Sequence, residues 1–100
     1  MIKIKSGVCF HHASFMYPKV MEIIYTAQKM APAGYEVTIT SGCDGRHMIN
    51  SSHYKGKAID FRTSDFPKDL IVWKDRIQAA LGNCYFVLLE KDHLHVQWNH

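Results

Sequence analysis

The chain has 100 residues, 47% of them hydrophobic, and a formal net charge of +3. That length makes one domain, 1–100, able to bury a core with little to spare, and the apolar content argues against disorder. No apolar run is long enough to span a bilayer, and no Lys/Arg cluster reads as a nucleic-acid surface, so neither membrane insertion nor nucleic-acid binding is expected.

Cys9, Cys43 and Cys84 are odd in number, widely spaced and without a CxxC pair. This pattern argues against a disulfide framework and excludes a zinc ribbon. The basic start, Met1 to Lys5, has no long apolar segment behind it. It reads as a short strand over residues 2 to 5 rather than a signal peptide, so synthesis in a cytoplasm is expected. Val8 to Ser14 shows no regular pattern. The paired His11 and His12 in it read as exposed or hydrogen-bonded loop imidazoles, without an assigned role.

Pro18 suits the first turn of a helix whose apolar face is Val20, Ile23, Ile24, Ala27 and Met30, and Pro32 and Gly34 stop it. Tyr35 to Ser41 alternates, with Tyr35, Val37 and Ile39 on one face and Glu36, Thr38 and Thr40 on the other, which predicts a half-buried strand. Gly42 to Ser52 is a polar loop carrying Cys43, Asp44, Arg46 and His47, and a loop that long in so small a domain is usually functional. Lys57 to Arg62 reads as a strand with Ile59 and Phe61 toward the core and Ala58, Asp60 and Arg62 on the opposite face.

Ser64, Asp65 and Pro67 announce a second helix. Its inner face is Leu70, Trp73, Ile77, Ala80 and Leu81, and Gly82 ends it. Cys84 to Leu89 is a short apolar strand, Glu90-Lys91-Asp92 a tight turn, and His93 to Trp98 the hairpin partner. On that last strand His93, His95 and Gln97 share one face, with Leu94, Val96 and Trp98 on the core face. The predicted architecture is α+β, a small antiparallel sheet with two helices on one face. No internal repeat or linker is visible.

Two clusters carry chemistry. His53 and Asp60 stand seven residues apart around Gly56, and His93-Leu94-His95 places two imidazoles on one strand face. Together they offer imidazole, carboxylate and imidazole, the usual ligands of a catalytic zinc site, which keeps a fourth position for water. Grouping such side chains on one face without a metal is costly. Gly56 and Ala58 are small enough to let the backbone approach a bound ion. Arg62, on the same strand face as Asp60, is a candidate to orient its carboxylate or to form an ordinary surface ion pair.

Ser51-x-His53-x-x-Gly56-x-Ala58-x-Asp60, followed by His93-x-His95, resembles the zinc D-alanyl-D-alanine carboxypeptidase family. That family includes vancomycin-resistance D,D-dipeptidases and phage L-alanyl-D-glutamate endopeptidases, and the hedgehog signalling domain shares the fold. The resemblance runs from about Thr38 to Trp98. It implies Zn2+ held by His53, Asp60 and His95, and a catalytic carboxylate three residues before the last ligand, Asp92. Glu90 is the competing carboxylate, since strand parity does not separate two residues of one turn. The resemblance also implies an oxyanion-stabilising arginine, matched by Arg46. His93 is a candidate second oxyanion donor or a group supporting the site. Ser51 and His47 are candidate substrate contacts.

The implied activity is a zinc metallopeptidase hydrolysing peptidoglycan stem peptides, as an L-Ala-D-Glu endopeptidase or a D-Ala-D-Ala carboxypeptidase. Its place of action would be the bacterial cell wall, as for a phage or prophage lysin or a virion-associated domain, and the mild positive charge suits that anionic polymer. A monomer is expected. The alternative is a zinc-containing binding module of the same fold without turnover. A metallonuclease, suggested by the histidines and the positive charge, requires a ββα motif that the strand alternation opposes.

Overall fold

The computed structural model of the chain describes residues 2–6, 17–41 and 58–98. Its elements run β1 (Lys3–Ile4), α1 (Tyr17–Met30), β2 (Thr38–Ser41), β3 (Ala58–Arg62), α2 (Leu70–Leu81), β4 (Tyr85–Leu89) and β5 (His93–Trp98). This is the expected α+β order. The sheet runs β1-β2-β3-β5-β4. Its β2–β3, β3–β5 and β5–β4 pairs are antiparallel, but β1 lies parallel to β2. The parallel pair follows from connectivity, because α1 separates the two strands in sequence and two neighbours joined through a helix run the same way.

The core lies between the sheet and the two helices. Val20, Ile23, Ile24 and Ala27 recur every three or four residues, and all four are buried. This stripe of α1 meets β3, β5 and α2. On the sheet, Ile39, Phe61 and Leu94 form a cross-strand row, and Ile59, Val96 and Val87 form a second. Each such side chain removed from water contributes about 1.5–3 kcal/mol.

Helix α2 begins later than the turn residues announce. Asp69 is its N-cap and accepts a hydrogen bond from the Ile71 amide at 2.9 Å. Trp73 and Ile77 are buried and Leu70 and Leu81 half-buried, whereas Ala80, expected inside, is exposed. The helix packs mainly on α1 and β4, so a narrow stripe suffices to cover it. Trp73 can be buried because its indole N–H donates to the Ala27 carbonyl at 3.0 Å, tying α2 to α1. Phe66 stacks on the same indole with ring centroids 4.4 Å apart. Gly82 ends the helix at φ 88, a backbone conformation that favours glycine.

One arrangement recurs in the fold without being evident in the sequence. Gln28 on α1 donates to the Tyr35 carbonyl at 2.6 Å and accepts from the Val37 amide at 3.0 Å. Gln78 on α2 donates to the Tyr85 carbonyl at 2.8 Å and accepts from the Val87 amide at 3.1 Å. The separations are 7 and 9 residues in both cases. Each helix thus fixes the segment that follows it through one carboxamide. This explains why the β2 ladder begins at Thr38 rather than Tyr35, since Gln28 holds the backbone of the residues before it.

The half-buried reading of the strand over Tyr35 to Ser41 needs correction, since burial extends across the centre of the sheet. Thr38 is buried beside Val37 and Ile39, and Ala58, Ile59, Asp60 and Phe61 are all buried. Strand β3 is central in the sheet, and Ala58 and Asp60 on its polar face are buried as well. Opposite β3, Ile39 faces Phe61 and Ser41 faces Asp60, leaving Thr40 as an extra residue in a β-bulge. Bulges of this kind re-aim side chains next to functional sites.

Candidate functional site

The polar face of β3 and β5 is assembled by strand register. Asp60 pairs with His95, Arg62 with His93 and Ala58 with Gln97. Antiparallel pairing makes each couple share a face, so Asp60 and His95 meet without any loop to bring them together. His95 Nδ1 lies 2.9 Å from Asp60 Oδ1. His93 reaches the same carboxylate from one rung away, with Nε2 3.7 Å from Oδ2. Its Nδ1 lies 2.7 Å from Asp92 Oδ1. Thr40 donates to the Asp60 carbonyl at 3.4 Å from the bulge.

Gln97 completes the row. Its Oε1 lies 2.6 Å from His95 Nε2. The sequence placed Gln97 on the histidine face but gave it no role; the signal was its position two residues beyond His95. With that oxygen as acceptor, Nε2 carries the proton of a neutral imidazole. The lone pair of Nδ1 then points at a carboxylate oxygen. A proton added to Nδ1, a cation bound by both atoms, or the opposite tautomer with the Gln97 carboxamide turned to donate satisfies this contact. Burial opposes protonation of His95, but the hydrogen bonds to Asp60 and Gln97 and the charges of Asp60 and Glu90 outweigh it, so the imidazole titrates above its ordinary range.

Asp60 is 7% exposed, an unusual degree of burial for a carboxylate. Asp92 is exposed at the hairpin turn. Its hydrogen bond to His93 and the nearby imidazole hold its carboxyl below the usual range, against smaller opposing effects of desolvation and the Asp60 charge. It is therefore ionised at neutral pH. Asp60, Asp92 and His93 line one cleft of about 390 Å³ together with Lys5, Thr40, Arg62 and Ser64. Glu90 is exposed at the other end of the turn, and its amide donates to the His93 carbonyl at 2.9 Å. Lys5 carried no signal in the sequence, because only the pairing of β1 with β2 brings it to this cleft.

Asp60 and His95 suit zinc, which takes carboxylate oxygen and imidazole nitrogen, and the Gln97 contact is of the kind that orients a ligating imidazole. Among the described residues, no group of three or more His, Cys, Asp or Glu side chains is placed to hold a metal ion. The remaining predicted ligand, His53, lies outside the described residues, as do Arg46, His47, Ser51, Gly56 and the His11–His12 pair. So do Cys9 and Cys43, while Cys84 is exposed and free. Arg62, weighed as a support for Asp60 or as a partner in a surface ion pair, forms no ion pair among the described residues. No described helix is long and apolar enough to cross a membrane.

Over 64 residues, 62% of the chain, the sequence is 33% identical to the Tiggy-winkle hedgehog protein of Danio rerio. The chain spans 15% of that relative's length. No family model and no solved structure matches the chain.

Proposed function

We propose that the chain is a zinc-dependent peptidase acting on peptidoglycan stem peptides at the bacterial cell wall. The observation that carries this reading is the pair formed by buried Asp60 and half-buried His95, two groups with ligand chemistry 2.9 Å apart, beside a cleft that holds a second imidazole and an ionised carboxylate. His53, Asp60 and His95 are the proposed ligands. Zinc supplies, when bound, a more acidic water and a Lewis acid for the scissile carbonyl.

The remaining roles belong to side chains. Asp92 takes the proton of the attacking water and passes it to the leaving amine. His93, 2.7 Å from the Asp92 carboxylate, orients it and offers its other nitrogen toward the developing oxyanion. Gln97 fixes the tautomer of His95. Arg46 is the proposed cation for the oxyanion, and Ser51 and His47 the proposed substrate contacts, from their places in the sequence motif.

A second reading is a zinc-holding binding module without turnover, favoured by the similarity to a hedgehog protein. Mass spectrometry of peptidoglycan incubated with the purified chain, with and without chelator, separates the two. Chelator-sensitive release of cleaved stem peptides is expected. Intact muropeptides, from a protein that elemental analysis finds loaded with zinc, would establish the module instead.

A further inference from the structure

Two cations, Lys5 and Arg62, share the site cleft with the carboxylates of Asp60 and Asp92. Lys5 follows β1 and Arg62 ends β3, and both line the cleft of about 390 Å³ that contains Asp60, Asp92 and His93. The acids there already face imidazoles, Asp60 meeting His95 at 2.9 Å and Asp92 meeting His93 at 2.7 Å. Neither Lys5 nor Arg62 forms an ion pair among the described residues, although the neighbouring Lys3 reaches Glu36 at 3.5 Å. Arg62 lies near the Tyr35 phenol, whose hydroxyl donates to Asp65 at 2.8 Å. Ser64 adds an exposed hydroxyl to the cleft wall.

We propose that Lys5 and Arg62 form a subsite for the free α-carboxylate of the amino acid that leaves with the released amine. The inference rests on the peptidase reading and names the substrate group that these two residues recognise. An amine nitrogen and the carboxylate carbon of the same amino acid are two bonds, about 2.5 Å, apart. A group that protonates the amine and a group that binds the carboxylate must therefore share one cleft, as Asp92, Lys5 and Arg62 do. Two substrates present this chemistry. In a D-Ala-D-Ala terminus the leaving alanine carries the chain's last carboxylate. In an L-Ala-D-Glu bond whose glutamate continues through its γ-carboxyl, the α-carboxylate is free.

The test uses the zinc-loaded full chain and four synthetic stem peptides, each bond type as the free acid and as the α-amide. Whichever bond is cut, the acid is expected to exceed its amide in kcat/KM by about 10- to 100-fold, and the bond type names the source of the carboxylate. In Arg62→Met and Lys5→Met the ratio of acid to amide falls toward one, and Arg62→Lys restores part of it. Equal cleavage of acid and amide overturns the subsite, as does a preference that survives both substitutions. N-acetyl-D-alanine and its amide, titrated into the wild-type chain, give a second readout in the NMR signal of the Arg62 Nε–H. A shift with the acid alone upholds carboxylate binding at Arg62 even if none of the four peptides is cut, an outcome that sinks the peptidase reading and not the binding site. No shift with either compound overturns the subsite.

Discussion

Asp60 and His95 are register partners on β3 and β5, and their Oδ1 and Nδ1 atoms lie 2.9 Å apart on the polar face of the sheet. A carboxylate that is 7% exposed keeps its charge only with a partner. The backbone dictates this contact, which makes it a firm basis for substitution experiments.

Asp60→Asn keeps the shape of the side chain and removes its charge. Metal content measured by elemental analysis is expected to fall from about one zinc per chain to near zero, with an unchanged circular dichroism spectrum. Retention of stoichiometric zinc by Asp60→Asn and by His95→Ala would remove both from the ligand set.

Asp92→Asn is expected to retain zinc and lose about 10²- to 10⁴-fold in kcat. The matched Glu90→Gln substitution is expected to leave kcat within a few-fold, because Asp92 and not Glu90 lines the cleft with Asp60. Steady-state kinetics on a cleaved stem peptide decides between them. A loss confined to Glu90→Gln reverses the assignment of the base.

Gln97→Leu removes the acceptor 2.6 Å from His95 Nε2. Zinc affinity from competition titration is expected to weaken about 10- to 100-fold. In the metal-free protein, ¹⁵N shifts of the His95 ring are expected to show a mixture of tautomers. An unchanged affinity together with an unchanged ring spectrum rules out the positioning role.

Gln78→Leu leaves the Val87 amide and the Tyr85 carbonyl without their carboxamide partner. Stability in urea is expected to fall by about 1–3 kcal/mol. Gln28→Leu has the same consequence at Tyr35 and Val37. A change in urea midpoint within error for both variants would show that the carboxamides are dispensable.

Alkaline pH has a signed effect through two tyrosines. Burial, then the hydrogen bond to Glu22, pushes up the Tyr85 phenol, and burial followed by the Asp65 bond does the same at Tyr35. In the unfolded chain tyrosine ionises near ~10. The stabilisation is complete below that pH and is lost as pH rises toward the higher folded values. Thermal midpoints are expected to drop above about pH 10, and Tyr35→Phe with Tyr85→Phe should flatten that drop. An identical pH profile in the double variant contradicts the assignment.

Much of this fold is legible in sequence, because the forces that specify it are local and periodic. The α1 stripe from Val20 to Ala27, the inward Ile59 and Phe61, and the hairpin at Glu90-Lys91-Asp92 follow from side-chain alternation and turn chemistry, and the structure has each. Ala80 shows the limit of that reading, since periodicity marks a helix face but does not say how much of it a neighbour covers.

By itself, the sequence determined the elements and the chemical kinds of side chain on each strand face, including Asp60, His93 and His95 on the polar one. Only the tertiary structure decided which of them meet. The β3–β5 register sets Asp60 against His95, the parallel β1–β2 pair brings Lys5 to the cleft, and the bulge at Thr40 turns β2 beside Asp60. Periodicity records which way a side chain points relative to its own strand. Register and strand order are relations between distant segments, and they are settled when the core packs and the backbone hydrogen bonds close together.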